Sequence, residues 1–156
     1  DLDKLKPITA TESFAGVYKG QSGLPLRGEH LIYMNVDMID RCKTFNYETN
    51  ETGKVYDLEK LSGRDPYDVF LSGATALITV ENPDAAAETG RELIIFRDSF
   101  GSSLAPLLLS DYARITLVDL RYIKWSYLDQ FIDFDRQDIL FIYGTTLLND
   151  SYVLKR

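Results

Sequence analysis

The chain has 156 residues, of which 45% are hydrophobic and 26% charged, a composition typical of one folded domain and unlike a disordered or fibrous protein. Acidic side chains outnumber basic ones by 24 to 17, and the resulting net charge of −7 repels a phosphate backbone, so we expect no nucleic-acid partner. A single cysteine, Cys42, and a single histidine, His30, exclude an internal disulfide and a structural zinc site of recognised spacing; we expect neither a metal nor another cofactor.

The first half of the chain alternates short apolar pieces with turn-forming residues, which predicts mixed or antiparallel β structure with loops. The polar stretch 46–53 is expected to be an exposed connection, and residues 85–88 to form one helical turn. The apolar pieces are residues 14–19, 31–34, 55–56 and 77–80.

The second half contains three continuous apolar runs, at residues 93–96, 115–118 and 139–143, which are typical of strands buried on both faces. Apolar residues at helical spacing lie between them, around 104–112 and around 125–132. The order strand, helix, strand, helix, strand predicts an α/β fold with a parallel sheet. We expect one domain over residues 1–156, or part of a larger domain, with an internal seam near residue 90.

The turn after the first of these strands, Arg97-Asp98-Ser99-Phe100-Gly101, is the first candidate site. Ligands of open parallel sheets bind beyond the carboxyl ends of the strands. A serine on a sharp turn between strand and helix holds its hydroxyl at that edge, beside amides that can stabilise an oxyanion, which is the geometry that acyl transfer needs. The alternative is that Ser99, Ser102 and Ser103 only cap the helix.

Polar residues also follow the other two strands, and a parallel sheet would bring them beside Ser99. Arg121 can bind an acidic or carbonyl oxygen, and Asp119 can orient a base or Arg121 itself; a plain structural ion pair is the alternative. Residues 144–146 follow the third strand. A serine nucleophile also needs a base, and His30 lies in a predicted strand of the first half, where we expect it to be structural or exposed.

Several segments together resemble the C-terminal half of the bacterial DHHW family. They include Phe14-Ala15-Gly16-Val17-Tyr18 and the turn Arg97-Asp98-Ser99-Phe100-Gly101; the others are residues 65–73, 92–103, 106–108 and 118–123. That family looks related to the SGNH hydrolases. The resemblance therefore implies a three-layer, flavodoxin-like parallel sheet in the C-terminal half of the chain, with mixed β structure and loops in the N-terminal half.

The resemblance implies that Ser99 is a catalytic nucleophile preceded by Asp98. It also implies a set of oxyanion or substrate-binding residues: Gly73, Gly101, Asp119, Arg121 and Tyr122. The Asp-His-His-Trp motif that would supply the base is absent, and in the family it lies upstream of the matching region. The chain opens with Asp1 rather than Met, and we expect it to be a C-terminal portion that is inactive alone and has the missing N-terminal segment as its partner.

The function implied by the resemblance is that of an esterase or O-acetyltransferase acting on cell-envelope carbohydrate, at an extracytoplasmic location in a Gram-positive bacterium. The substrate would be a carbohydrate or acyl ester, and no cofactor would be needed. The alternative is a non-catalytic module with a degenerate hydrolase fold that binds envelope glycans through its ten tyrosines. The oligomeric state stays open.

Overall fold

One mixed sheet of six strands unites the two halves of the chain in a computed structural model that describes residues 5–16, 19, 22–25 and 27–155. Its strand order is β4-β3-β5-β7-β6-β8, while β1 and β2 form a separate antiparallel pair. The strands are β1 Lys6–Phe14, β2 Glu29–Asn35, β3 Lys43–Asn46, β4 Glu51–Gly53, β5 Leu77–Glu81, β6 Glu92–Arg97, β7 Arg114–Val118 and β8 Asp138–Ile142.

The helices of the described residues are short. The α-helices are α1 Pro83–Glu88, α2 Gly101–Leu108 and α3 Thr145–Asn149. Helices of the 3-10 type span Ile39–Arg41, Leu58–Ser62, Pro66–Val69, Trp125–Gln130 and Ser151–Val153. Across the described part of the chain, every helix falls short of the length and apolar character needed to cross a bilayer.

The three apolar runs of the second half are strands, as predicted. β6 lies between β7 and β8 and is parallel to both. Its residues are buried almost throughout, because both faces of the sheet are covered there, and this explains the continuous hydrophobic pattern. The first crossover is α2, as expected. The second crossover was expected to be an α-helix, and that prediction is wrong: its helical part is the 3-10 helix Trp125–Gln130.

The first half is largely antiparallel, as predicted, but two boundaries differ. Residues 55–56 form only an isolated bridge, between Tyr56 and Phe70. Residues 46–53 are more than a loop, since they include β4, which pairs with β3. The helical turn expected at residues 85–88 is α1. Val17 and Tyr18, in the piece 14–19, lie outside the described residues.

β5, from the N-terminal half, pairs antiparallel with β7, so the six-stranded sheet is mixed. A flavodoxin-like sheet is parallel and carries helices on both faces. In this chain the parallel strands β7, β6 and β8 continue into the antiparallel strands β5, β3 and β4. The fold is therefore mixed α/β, with a six-stranded mixed sheet and few helices among the described residues.

Two apolar clusters lie on opposite faces of this sheet. On one face, Leu93 and Ile95 of β6 belong to the same cluster as Ala105 of α2 and Leu31 of β2. On the other face, Ile94 and Phe96 pack in a smaller cluster that includes Leu128, from the 3-10 helix Trp125–Gln130, and Ile132. Packing on both faces fixes β6, so the turn that follows it is held on a rigid element.

Candidate functional site

The segments that follow β6 and β8 meet at the carboxyl edge of the sheet. The carboxylate of Asp98, just after β6, accepts a hydrogen bond from the amide of Gly144, just after β8, at 2.6 Å. Arg97, the last residue of β6, lies 3.6 Å from Asp119, which follows β7. These contacts bring the segments after the three strands together at one edge of the sheet, next to the turn that carries Ser99.

Ser99 lies on the turn between β6 and α2 and is partly buried. Its carbonyl accepts hydrogen bonds from the Ser102 amide at 3.1 Å and from the Tyr67 hydroxyl at 3.2 Å, which fixes the backbone of the turn. Its hydroxyl and its own amide bond to none of the described residues. A fixed backbone with a free hydroxyl and a free amide is what a nucleophile and an oxyanion donor require.

Asp98, rather than Ser99, supplies the capping interaction of this turn. One carboxylate oxygen of Asp98 accepts from the Phe100 amide at 3.0 Å, and the other accepts from Gly144. The side chain is buried. The expectation that Asp98 is catalytic therefore needs correction: both oxygens are engaged with backbone amides, and the residue positions the turn. The alternative that Ser99 is merely a cap is not supported either.

Tyr67 is a site residue that the sequence did not indicate. It lies in the 3-10 helix Pro66–Val69, whose first turn is capped by the side chain of Asp65. Its hydroxyl reaches Ser103 Oγ at 2.9 Å as well as the Ser99 carbonyl. Burial raises the pKa of this phenol. Tyr67 thus braces the Ser99 turn from a segment 32 residues away in sequence.

Two glycines expected at an oxyanion or substrate site have structural roles instead. The Gly73 amide already donates to the Phe70 carbonyl at 3.2 Å, so it is not free to hold an oxyanion; its φ of +102° favours glycine. The Gly101 amide donates to the Asp98 carbonyl. A Cβ on Gly101 would lie 2.5 Å from the Cβ of Arg97, so Gly101 allows α2 to start directly over β6.

Asp119 and Arg121 form an ion pair at the end of β7. The Asp119 carboxylate is fully buried and accepts from Arg121 Nε at 2.9 Å and Nη2 at 2.6 Å. The hydrogen bond to Asp119 raises the pKa of Arg121. The two residues thus form an ion pair in which Asp119 orients Arg121. The Arg121 side chain keeps 27% of its surface exposed and lies over the Tyr122 ring at 5.3 Å.

Arg97 is the largest fully buried side chain of the described residues. Its guanidinium reaches the carbonyls of Asp98 and Thr75, both at 3.4 Å, and its Nε has no hydrogen-bond partner. Desolvation lowers the pKa of Arg97, with Asp119 opposing that effect. The side chain links the β6 turn to the segment that leads into β5.

Tyr143 is a second unpredicted residue at this edge. It follows β8, and its buried hydroxyl has no partner among the described residues. Burial raises the pKa of Tyr143 to about 12, and the nearby carboxylates of Asp119 and Asp98 add to the shift. In the sequence, Tyr143 is only the last residue of an apolar run, which does not distinguish it from an ordinary strand residue.

A base for Ser99 is missing from the described residues at this edge. His30 lies exposed on β2, in the separate two-stranded sheet, and bonds to none of the described residues. The expectation that His30 is structural or exposed is consistent with this position. A search of the described residues finds no group of three or more His, Cys, Asp or Glu side chains arranged to hold a metal ion.

Solved structures share the whole fold of this chain. A DHHW family protein from Eubacterium siraeum is 19% identical with a TM-score of 0.69, and the match covers 100% of this chain and 55% of that one. Bacillus cereus PatB1 with a sulfonyl adduct is 17% identical with a TM-score of 0.67, covering 100% and 52%. A second structure of Bacillus cereus PatB1 is 16% identical with a TM-score of 0.65, again covering 100% of this chain and 52% of that one.

These matches confirm, at the level of fold, the resemblance to the DHHW family. The chain spans about half the length of the structures that it matches. No protein-family model matches the sequence, and no curated protein matches it.

Proposed function

We propose that this chain carries the serine nucleophile of an esterase or O-acyltransferase whose base comes from outside the 156 residues. The observation that carries the proposal is Ser99 itself: it lies on a braced turn at the carboxyl end of the central parallel strand, with its hydroxyl and its amide both free of bonds to the described residues. The shared fold supports this reaction class, since one PatB1 structure carries a sulfonyl adduct and sulfonyl reagents react with nucleophilic side chains such as an activated serine.

The proposed reaction begins when Ser99 Oγ attacks the carbonyl carbon of an acyl ester while a histidine takes the hydroxyl proton. The Ser99 amide holds the resulting oxyanion, and collapse expels the alcohol, which receives the proton from the histidine. A water molecule or a sugar hydroxyl then attacks the acyl-enzyme in the same manner and releases the acyl group from Ser99. An SGNH-like site would be completed by the upstream segment that supplies the histidine.

Arg121 is the proposed substrate-binding residue. Asp119 engages its Nε and Nη2, which leaves Nη1 without a bond to the described residues. A guanidinium anchored on one side and partly exposed on the other can bind a carbonyl or acidic oxygen of the substrate. Tyr122, half exposed beside it, extends the same surface. The proposed substrate is cell-envelope carbohydrate, and the proposed location is extracytoplasmic.

The test uses a longer protein that includes the sequence upstream of these residues. We expect it to hydrolyse an activated acetate ester and to be labelled on Ser99 by a sulfonyl fluoride, a reagent chosen because a sulfonyl adduct is present in one PatB1 structure. Ser99→Ala and the 156-residue chain should both lack turnover. Ser102→Ala, a neighbouring buried serine, serves as the matched control and should keep it.

Turnover that survives Ser99→Ala would reject Ser99 as the nucleophile, and turnover by the short chain would place the base within it. A longer protein that neither hydrolyses the ester nor takes the label would favour the second candidate, a glycan-binding module. The exposed rings of Trp125 and Tyr127, each 50% accessible, favour that candidate, because flat exposed rings suit stacking on sugars.

A further inference from the structure

The two edges of the six-stranded sheet differ sharply in chemistry. β4, at one edge, has only three residues, Glu51, Thr52 and Gly53, and an exposed polar edge strand of this kind resists unwanted pairing. β8, at the other edge, has five residues and pairs only with β6. Its outer side therefore presents backbone amides and carbonyls that no described residue pairs.

Apolar side chains are exposed on both faces of β8. Ile139 and Phe141 point to the face of the smaller apolar cluster and are 52% and 60% exposed. Ile142, on the opposite face, is 37% exposed. Asp138 is the one charged residue of the strand, and Arg91 pairs with it. Exposed apolar edge strands are normally covered or blunted by charges in native proteins, and in β8 the single charge stands at the first residue.

An aromatic surface continues from β8 onto one face of the sheet. Phe141 stacks on the buried Phe96 with ring centroids 4.7 Å apart, and Phe96 also contacts Trp125 at 5.3 Å. Trp125 in turn stacks on Phe134, and these two rings are 50% and 43% exposed. Together with the strand, they form a contiguous exposed apolar patch, and patches of this kind are found at interaction surfaces.

We propose that β8 and this aromatic surface dock a strand-forming segment of the same polypeptide that lies outside these 156 residues. The shared fold supports this occupant: the similar solved structures align with the whole of this chain and contain nearly as much chain again. A paired strand would satisfy the open backbone of β8, and residues flanking that strand would cover Phe141 and Trp125. A glycan would not use an aliphatic strand edge such as Ile139 and Ile142.

The proposal goes beyond the serine chemistry and does not depend on it, so its test has no activity readout. In the longer protein, Phe141→p-benzoylphenylalanine places a photoreactive ring on the patch. Irradiation is expected to join position 141 to a peptide outside residues 1–156 of the same polypeptide, while the protein stays a monomer on a denaturing gel. The same group at Leu58, an exposed residue outside this patch, is the matched control and should give no such product.

Backbone hydrogen exchange of the unmodified longer protein provides the second measurement. Amides within residues 138–142 should exchange at least about 100-fold slower than in an unstructured peptide, including those that do not pair with β6. A cross-linked dimer would assign the surface to a second copy, and protection that appears only on adding an envelope glycan would assign it to that ligand. Each of these two results overturns the proposal. A cross-link within residues 1–156 would overturn it as well, and so would fast exchange without a cross-link.

Discussion

The carboxylate of Asp98 joins the turn after β6 to the amide of Gly144 after β8, so one buried side chain sets the spacing between two neighbouring strand ends. The same carboxylate caps the start of α2 through the Phe100 amide. The position of Ser99 thus depends on Asp98 without any direct contact between Asp98 and a reacting group.

Replacement of Asp98 is expected to lower the stability of the fold. Asp98→Ala removes both charge-assisted hydrogen bonds and leaves two amides without their acceptor, which should lower the free energy of unfolding by about 3 kcal/mol or more. Urea denaturation measures the change. Asp129→Ala is the matched control, because Asp129 is exposed and bonds to no described residue; equal stability of the two variants would contradict the positioning role.

Gly101 is expected to tolerate no side chain. A Cβ there would lie 2.5 Å from Arg97 Cβ and 2.8 Å from its Cγ, and Arg97 is fully buried and cannot move aside. Gly101→Ala should therefore destabilise the fold by about 2–3 kcal/mol despite the better helix propensity of alanine. Gly90→Ala, where φ is +62° and the space is open, should cost only about 1 kcal/mol by thermal or urea unfolding.

Tyr67 is expected to act on the Ser99 turn through its hydroxyl alone. Tyr67→Phe keeps the ring contacts with Phe70 and Phe14 but removes the bonds to the Ser99 carbonyl and to Ser103. The longer protein should then lose only about 1 kcal/mol of stability. Its labelling of Ser99 by a sulfonyl fluoride should slow about tenfold, since small displacements of a nucleophile are costly.

Tyr152→Phe is the control for that experiment, because Tyr152 is 81% exposed and forms no bond with the described residues. An unchanged labelling rate in Tyr67→Phe would show that the turn holds its conformation without the phenol.

Cys42 is expected to be unreactive in the folded protein. The residue is 3% exposed, and burial raises the pKa of its thiol to about 11, so the reactive thiolate is scarce near neutral pH. An aromatic disulfide reagent should therefore modify Cys42 slowly in the native protein and at once in denaturant. Rapid modification of the native protein would mean that the segment around the 3-10 helix Ile39–Arg41 opens readily.

The stability of the fold at alkaline pH is expected to depend on Tyr143. Its phenol has a pKa of about 12 when folded against 10 for an ordinary tyrosine, so the folded state holds the proton more tightly. That contribution to stability is complete below pH 10 and is lost as the pH rises through about 12. Tyr143→Phe should lose stability less steeply over this window, as followed by denaturation at a series of pH values.

The same variant should be as stable as the parent protein, or more stable, near neutral pH. The Tyr143 hydroxyl is buried without a partner, and removing such a group relieves its desolvation cost. A marked loss of stability near neutral pH would show that the hydroxyl bonds to a group outside the described residues.

The three parallel strands could be predicted from the sequence because a strand covered on both faces is continuously apolar. Such apolar runs are present at residues 93–96, 115–118 and 139–143. The Ser99 turn followed from its place after the first run. The prediction of an α-helix in the second crossover was wrong. The spacing of Trp125, Leu128 and Ile132 is compatible with one face of an α-helix, but it is equally compatible with a short 3-10 helix followed by a loop. Antiparallel pairing of β5 with β7 leaves no local signal in either strand.

The hydrogen bonds that hold the Ser99 turn in place could not be predicted from the sequence. Tyr67 and Ser99 are 32 residues apart, and Asp98 and Gly144 are 46 residues apart, so no local pattern reports either hydrogen bond. The turn chemistry of Asp98 was also ambiguous, because an aspartate before a serine suits catalysis and helix capping alike. Only the tertiary arrangement separates the two.

The position of β6 between β7 and β8 also constrains the order in which the site arises during synthesis on the ribosome. Both partners of β6 come later in the chain, so the strand that leads to Ser99 emerges with no neighbour to pair with. It gains its first neighbour once residues 114–118 are made and its second only after residues 138–142. The turn that carries Ser99 is thus held by both neighbouring strands only when translation of these 156 residues is nearly finished, and until residues 114–118 are made the almost fully buried strand β6 has neither partner.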